Sequence, residues 1–273
     1  MTHLNTPAVM GIINLNPDSF FSESRCTTEE LIIKRFETMV KDGADIIDLG
    51  ACSTRPGLKS IPEELEWDYL KPALKVVLRN FPSSTISIDT FRSNIVERAY
   101  DFVGDFIVND ISAGEDDPEM LEMVAKLELP YIAMHKRGTP ETMQSLCQYD
   151  DVVEDIRQYF LNFIEKAKKK GIKDIIIDPG FGFAKDFAQN YKLLGSLDKF
   201  KIKKLDGNGD FPILVGLSRK SMIYRFLDIS PEESLPATAA LNLQALIKGA
   251  DIIRVHDVKE AKQIVKIFTN FII

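Results

Sequence analysis

The chain has 273 residues, of which 45% are hydrophobic and 27% charged, and its net charge is −7 at neutral pH. That composition is globular, and the length suits a (β/α)8 barrel of ~250 residues better than an ordinary single domain. The acidic balance, with no Lys/Arg cluster interleaved with aromatics, argues against a nucleic-acid surface, and no apolar run approaches the ~18 residues that a membrane span needs.

The first apolar run, Ala8 to Ile13, ends on Asn14 and reads as a strand, followed by a loop through Pro17-Asp18-Ser19-Phe20. Thr27 with Glu30 has the spacing of a capping box, and Leu31, Phe36, Met39 and Val40 form the stripe of a helix that Gly43 closes. Ala44–Leu49 is a second strand, broken at Gly50. A polar loop, Ser53-Thr54-Arg55-Pro56-Gly57, leads to a helix capped by Ser60 and Glu63 and running to about Asn80. Thr85–Ile88 ends on Asp89, and a helix spans about Ser93 to Asp101. Asp105–Val108 ends on Asn109-Asp110, and Pro118 suits the first turn of the next helix. Tyr131–Met134 ends on His135, and a long polar loop leads to a helix from about Asp151 to Lys170. Ile175–Ile177 has no two-fold alternation, as in a strand covered on both faces. It ends on Asp178, where Pro179 and two glycines break the chain. Phe187–Leu197 is helical, and Lys199–Asp210 is a charged surface connection. Phe211–Gly216 is strand seven, followed by Ser218-Arg219-Lys220. Ala237–Lys248 is helical, Asp251–His256 is strand eight, and a last helix closes the chain.

Eight strand–helix alternations without a linker close most simply as a single-domain α/β TIM barrel over residues 1–273. A doubly wound open sheet is the alternative, and no G-x-G-x-x-G follows strand one to support it. Cys26, Cys52 and Cys147 are scattered and include no C-x-x-C, so neither a disulfide framework nor a zinc site is indicated. The first residues lack the charged and apolar regions of a secretory signal, and a cytoplasmic location is expected.

In a barrel all strand carboxyl ends face one mouth. Asn14, Asp89, Asn109, Asp178, Lys220, Arg254 and His256 would then ring one cavity. Asp89, Asn109 and Asp178 suit a flat heterocycle with adjacent N–H donors, because a carboxylate accepts two parallel bonds. Arg254 and His256, two residues apart on one strand, would with Lys220 hold an anion such as a diphosphate. Asn14 is a neutral oxygen ligand suited to Mg²⁺ already bound to phosphate oxygens. Structural readings stand beside these: Asp178 as a turn cap, Lys220 as a helix N-terminal lysine, His256 as a satisfied histidine, and Asp48 as a core polar residue.

Met10-Gly11-Ile12-Ile13-Asn14 with Pro17-Asp18-Ser19-Phe20 resembles the first signature of the dihydropteroate synthase family. Asp42–Gly50 running into Ser53-Thr54-Arg55-Pro56-Gly57 resembles its second. Ser87-Ile88-Asp89-Thr90, Val108-Asn109-Asp110, Met134-His135, Asp178–Phe183, Ser218-Arg219-Lys220 and Arg254-Val255-His256 complete the series in order. The resemblance covers nearly the whole chain. It implies a barrel enzyme of folate synthesis that joins 7,8-dihydropterin-6-ylmethyl diphosphate to 4-aminobenzoate and releases diphosphate through an SN1-like pterin cation. By position, Asp89, Asn109, Met134, Asp178, Phe183 and Lys220 would hold the pterin. Asn14, Thr54, Arg55, Arg254 and His256 would hold the diphosphate, with Mg²⁺ at Asn14. Phe20, Thr54, Arg55, Pro56, Ser218 and Lys220 would form the aminobenzoate pocket once the first two loops close. Asp89, Asp178, Lys220, Arg254 and His256 would carry the catalysis. The family is usually a homodimer through its later helices, where Leu241, Leu246 and Ile247 stand in this chain; no nucleic acid or membrane is implied.

The sequence departs from the family pattern at Asn16, at Lys136, and at Phe181 and Ala184, which replace a commoner Ile and Gly. The alternative functions are a pterin-binding methyltransferase domain, which needs no anion clamp, a Schiff-base aldolase acting through Lys220, and a non-catalytic pterin scaffold.

Overall fold

The computed structural model of the chain describes residues 5–16, 28–52, 60–139, 141–204 and 207–271. Its strands are β1 (Ala8–Asn14), β2 (Ile46–Gly50), β3 (Ile86–Asp89), β4 (Ile107–Asp110), β5 (Tyr131–Met134), β6 (Ile175–Asp178), β7 (Leu214–Val215) and β8 (Ile252–Val255). All pair in parallel, in the order β6-β5-β4-β3-β2-β1-β8-β7. The ring closes between β6 and β7 through one bridge, Ile177 to Ile213, where the Ile177 amide donates to the Pro212 carbonyl at 3.0 Å. The expected strand Phe211–Gly216 shrinks to Leu214–Val215. Pro212 has no N–H to give to a ladder but still offers its oxygen.

Residues along each strand alternate between the lumen and the helix layer. Ala8, Met10, Ile46, Ile107, Ile132, Ile176, Leu214 and Ile252 fill the lumen as an apolar plug. Their neighbours, among them Ile47, Ile88, Val108, Ile177 and Ile253, pack under the helices. Two residues further along the inward rows the chemistry changes: Ile46 gives way to Asp48, Ile107 to Asn109, Ile132 to Met134, Ile176 to Asp178, Leu214 to Gly216 and Ile252 to Arg254. The plug is therefore the floor of the mouth, and parity alone aims these side chains over it.

The helices are α1 (Glu29–Asp42), α2 (Glu63–Asn80), α3 (Ser93–Val103), α4 (Met120–Lys126), α5 (Val152–Lys169), α6 (Phe187–Gly195), α7 (Ser221–Tyr224), α8 (Leu235–Ile247) and α9 (Val258–Phe271). Thr28, not Thr27, caps α1 by accepting from the Leu31 amide. The stripe is correspondingly Ile32, Phe36 and Met39, while Leu31 and Val40 lie in solvent. Gly43, at φ 89°, closes that helix as expected, because the left-handed region costs glycine little. Pro62 precedes α2 with no side-chain cap, so the expected Ser60–Glu63 box does not form. α6 carries a reciprocal capping box between Asp186 and Gln189. Trp67 packs edge-on against Phe102 in the helix layer. The Lys168–Lys170 run is the end of α5, where Lys169 pairs with Glu165 and Lys170 with Glu122. No described helix is long and apolar enough to cross a membrane.

Candidate active site

Asp178 ends β6 at the mouth. Its Oδ1 accepts from the Gly180 amide at 2.8 Å, and among the described residues nothing donates to Oδ2. Gly180 is obligatory there: its φ is 72°, and a Cβ would lie 2.0 Å from the His135 carbonyl oxygen. Burial raises the Asp178 pKa, against the pull of Lys220 and of the Gly180 amide. Asp89 ends β3 across the mouth, and its pKa is likewise raised by burial, against the pull of Arg254. The chain beyond Asp89 is braced by buried Glu66 of α2, which accepts from the Thr90 hydroxyl at 2.6 Å and pairs with Arg92.

Arg254 reaches over the plug from β8. Its Nε donates to Asp48 Oδ2 at 2.7 Å, and its Nη2 lies 2.5 Å from that oxygen and 2.7 Å from Asp89 Oδ2. Burial works against the guanidinium charge, but Asp48 and Asp89 outweigh it and its pKa is raised. Asp48 has no exposed surface, yet it also receives the Asn109 amide, with Nδ2 3.3 Å from both carboxylate oxygens. Asp48 is thus neither an inert core residue nor a lining one. It bonds to one residue assigned to the heterocycle and one assigned to the anion. The side chains of Arg254 and Asp89 remain 21% and 14% exposed through the open mouth, so water tempers these charge interactions until a ligand fills it.

Lys220 is not on a strand. It stands immediately before the short α7, and its Nζ donates to the Phe181 carbonyl at 2.6 Å while lying 4.9 Å from the centre of the Phe183 ring. Burial lowers its pKa to about 8, against the attraction of Asp178. Gly216 lies between the two cations: a Cβ there would lie 3.8 Å from Arg254 Cβ and 4.0 Å from Lys220 Nζ, ordinary contact distances. Gly50 lies across the mouth between Asp89 and Asn14, 3.7 Å from Asp89 Oδ2 and 3.9 Å from Asn14 Oδ1 by the same measure. Met134 lies in register with Asp178 and is buried.

His256 departs from expectation in its charge. Burial, then Arg254, Arg219, Arg35 and Lys220, lower its pKa to about 3, so it stands as a neutral imidazole rather than a third cation. The Ser218 hydroxyl accepts from the His256 amide at 3.2 Å and lies 3.0 Å from Nδ1. A hydroxyl that accepts the amide proton still has its own O–H to give to Nδ1 and a second lone pair to take a proton from it, so Ser218 can pair with either tautomer of the ring. Ser218 is thereby tied to His256 whatever else it binds.

The structure brings Asn14, Asp89, Asn109, Met134, Asp178, Phe183, Ser218, Lys220, Arg254 and His256 to one rim, at the carboxyl ends of the strands. Phe20, Thr54, Arg55 and Pro56 lie outside the described residues. Sequence reasoning missed three residues that build this rim. One is Asp48. Another is Lys185, whose buried Nζ donates to the carbonyls of Gly180 and Phe183 at 2.8 and 2.9 Å and shapes the turn carrying Phe183. The third is Arg219, which points away from the mouth at φ 53° and locks the chain by pairing with Asp257 and with the carbonyls of Pro231 and Glu232. A signal existed for Asp48 alone: an arginine facing a barrel lumen needs a buried acid, and Asp48 is the inward residue of β2.

A model of the pterin binding enzyme family matches residues 10–256. The dihydropteroate synthase of Escherichia coli (strain K12) is 38% identical over 266 residues, which is 97% of this chain and 91% of the relative. The chain belongs to the dihydropteroate synthase family of pterin-binding enzymes. Among solved structures, a Yersinia pestis dihydropteroate synthase in complex with a sulfonamide drug superposes with a TM-score of 0.89 at 35% identity, covering 97% of this chain and 94% of the other. A Xanthomonas albilineans dihydropteroate synthase with 4-aminobenzoic acid gives 0.84 at 34% identity, covering 97% and 93%. Within this family frame, two of the sequence departures acquire a structural account. Ala184 adopts φ 50°, a left-handed conformation that suits glycine better. Lys136 is buried and its charge is met by Asp116.

Proposed function

We propose that the chain joins the 7,8-dihydropterin-6-ylmethyl group of a diphosphate ester to the amine of 4-aminobenzoate, making dihydropteroate and releasing diphosphate. The observation that carries this reading is the shared rim: two ring-binding acids, Asp89 and Asp178, stand there with Lys220 and Arg254. The free Oδ2 of Asp178, with Asp89 and the Asn109 carbonyl, accepts from the N–H edge of the pterin, and Met134 and Phe183 flank the ring. Two carboxylates whose pKa values burial has raised gain most from a partner carrying positive charge. They therefore favour the ring as it becomes cationic over the ring at rest. Arg254 spends Nε and Nη2 on Asp48 and Asp89 and leaves Nη1 without an acceptor among the described residues, as a donor for the departing diphosphate. The methylene C–O bond breaks with its electron pair on the leaving oxygen. The aminobenzoate nitrogen then donates its lone pair to that carbon and sheds a proton, so no covalent enzyme nucleophile is needed. Each group aimed at developing charge is worth ~10²–10³ in rate.

Mg²⁺ fits the donors as a shared rather than a caged ion. Among the described residues no three His, Cys, Asp or Glu side chains gather as a metal cage, and Asn14 supplies one neutral oxygen beside Asp89. Asn14 would hold the ion together with diphosphate oxygens, and the ion would offset the negative charge of the leaving group. The deciding experiment is a coupled diphosphate-release assay, run with and without 4-aminobenzoate and Mg²⁺. Release that requires 4-aminobenzoate supports the reading. Release without it, or methyl transfer in its place, refutes it.

The same reading includes a cytoplasmic homodimer. Of the three candidate contacts, Leu246 is buried in the subunit core and Leu241 is half-buried, whereas Ile247 on α8 is exposed, as is Ile267 on α9. An Ile247→Glu variant that sediments as a monomer, against a dimeric parent, checks it.

A further inference from the structure

We infer that Asp48 is the positioning residue that sets the hydrogen-bonding polarity of the ring-binding rim and couples it to the anion-binding arginine. Asp48 touches no open surface, so it acts only through its neighbours. An asparagine amide can point either way, and its orientation is decided by what surrounds it. Here both carboxylate oxygens of Asp48 lie 3.3 Å from Asn109 Nδ2. The reversed amide would place Asn109 Oδ1 against two acceptors, so the carboxylate holds the N–H₂ inward and turns the carbonyl oxygen to the mouth. Asn109 therefore presents an acceptor, matching Asp89 and Asp178, and the rim becomes a continuous acceptor surface for a ring with adjacent N–H groups. Through its other contacts Asp48 takes Nε and Nη2 of Arg254, fixing the plane of the guanidinium and leaving Nη1 for an anion. One carboxylate thus orients a group in each half of the site, and it does so by charge as well as shape.

This inference rests on the pterin-diphosphate reading, and the test separates the two. Affinities for 6-hydroxymethyl-7,8-dihydropterin and for inorganic diphosphate are measured separately on the wild type, Asp48→Asn, Asn109→Asp and the double exchange, with thermal melting of each. Asp48→Asn keeps the shape but frees Asn109 to turn over, and both probes should weaken by ~10-fold or more, the scale of one lost charge-assisted bond. Asn109→Asp sets two carboxylates face to face and should weaken the ring probe. The double exchange restores a single N–H···O contact between the two positions and an acceptor oxygen at the mouth. It should recover ring affinity to within ~3-fold of wild type while diphosphate stays weak, because Arg254 has lost one of its two charged partners, the one that takes Nε and Nη2 together. A double exchange that binds the ring no better than Asn109→Asp alone, or that fails to fold while both single variants fold, overturns the inference. So does an Asp48→Asn variant that binds both probes like the wild type. A wild type that binds neither probe overturns the reading of the site itself, and this inference with it.

Discussion

The two ends of the barrel use the same residue types to opposite ends. At the amino-terminal end, Asp45 and Asp251 stand just before β2 and β8, and each is paired with a lysine and a backbone amide of the chain itself. Asp45 takes the Val9 amide at 2.7 Å and Lys262 Nζ at 2.9 Å, and Asp251 takes the Ile213 amide at 2.9 Å and Lys201 Nζ at 3.0 Å. At the carboxyl end, Asp178 and Asn109 keep acceptor capacity that the chain leaves unspent, and Arg254 keeps a donor. Beside Asn109, Asp110 faces outward and is filled by Ser112, Gly114 and Tyr131. Charge alone therefore does not mark a site; hydrogen-bonding capacity left over at the mouth does.

The comparison can be broken most severely at Asp178. Asp178→Asn should still receive the Gly180 amide and fold, yet lose ~10²–10³ or more in turnover for want of a negative charge at the edge of the ring. Wild-type kcat in a folded variant would refute the role. Lys220→Met should cost somewhat less and remove a pH dependence. With its pKa at about 8, the Lys220 ammonium is present below that pH and lost above it. Activity of the parent should therefore fall as pH rises through about 8, and the methionine variant should show no such limb in its pH–rate profile.

That Asp178 and Arg254 share a mouth was readable from the chain alone, because strand ends and two-residue alternation are written locally. Asp48 was not read so. A buried aspartate within Ile46-Ile47-Asp48-Leu49 has one local context whether it clamps an arginine or merely sits in a core; the clue lay far along the chain, in an arginine facing the same lumen, and the register of β2 with its neighbours brings the two together. The α1 stripe was misplaced because the cap lay one residue later, which turned Leu31 and Val40 to solvent. Lys185 and Arg219 owe their roles to turns with positive-φ residues nearby, at Ala184 and at Arg219 itself, which periodicity does not register.

The amino-terminal end should respond in stability rather than rate. Asp251→Ala leaves the Ile213 amide and Lys201 without their partner and should cost ~1–3 kcal/mol. Thermal melting should show the loss, with kcat at 25 °C unchanged; an equal loss of kcat would erase the distinction between the ends. The smallest effect should come from Ala184→Gly. Relief of the left-handed conformation and loss of a buried methyl oppose one another, so the net change should stay within ~1 kcal/mol. A larger shift in the denaturation midpoint would show that the turn is strained well beyond what its φ implies.

The single bridge joining β6 to β7 is the thinnest part of the wall. Asp178 stands on one side of that seam and Lys220 follows the other, so a molecule gripped by both becomes a rivet across it. Occupancy should then slow amide exchange at Ile177 and the residues beside it more than anywhere else on the staves, and the enzyme should be stiffest when it is loaded.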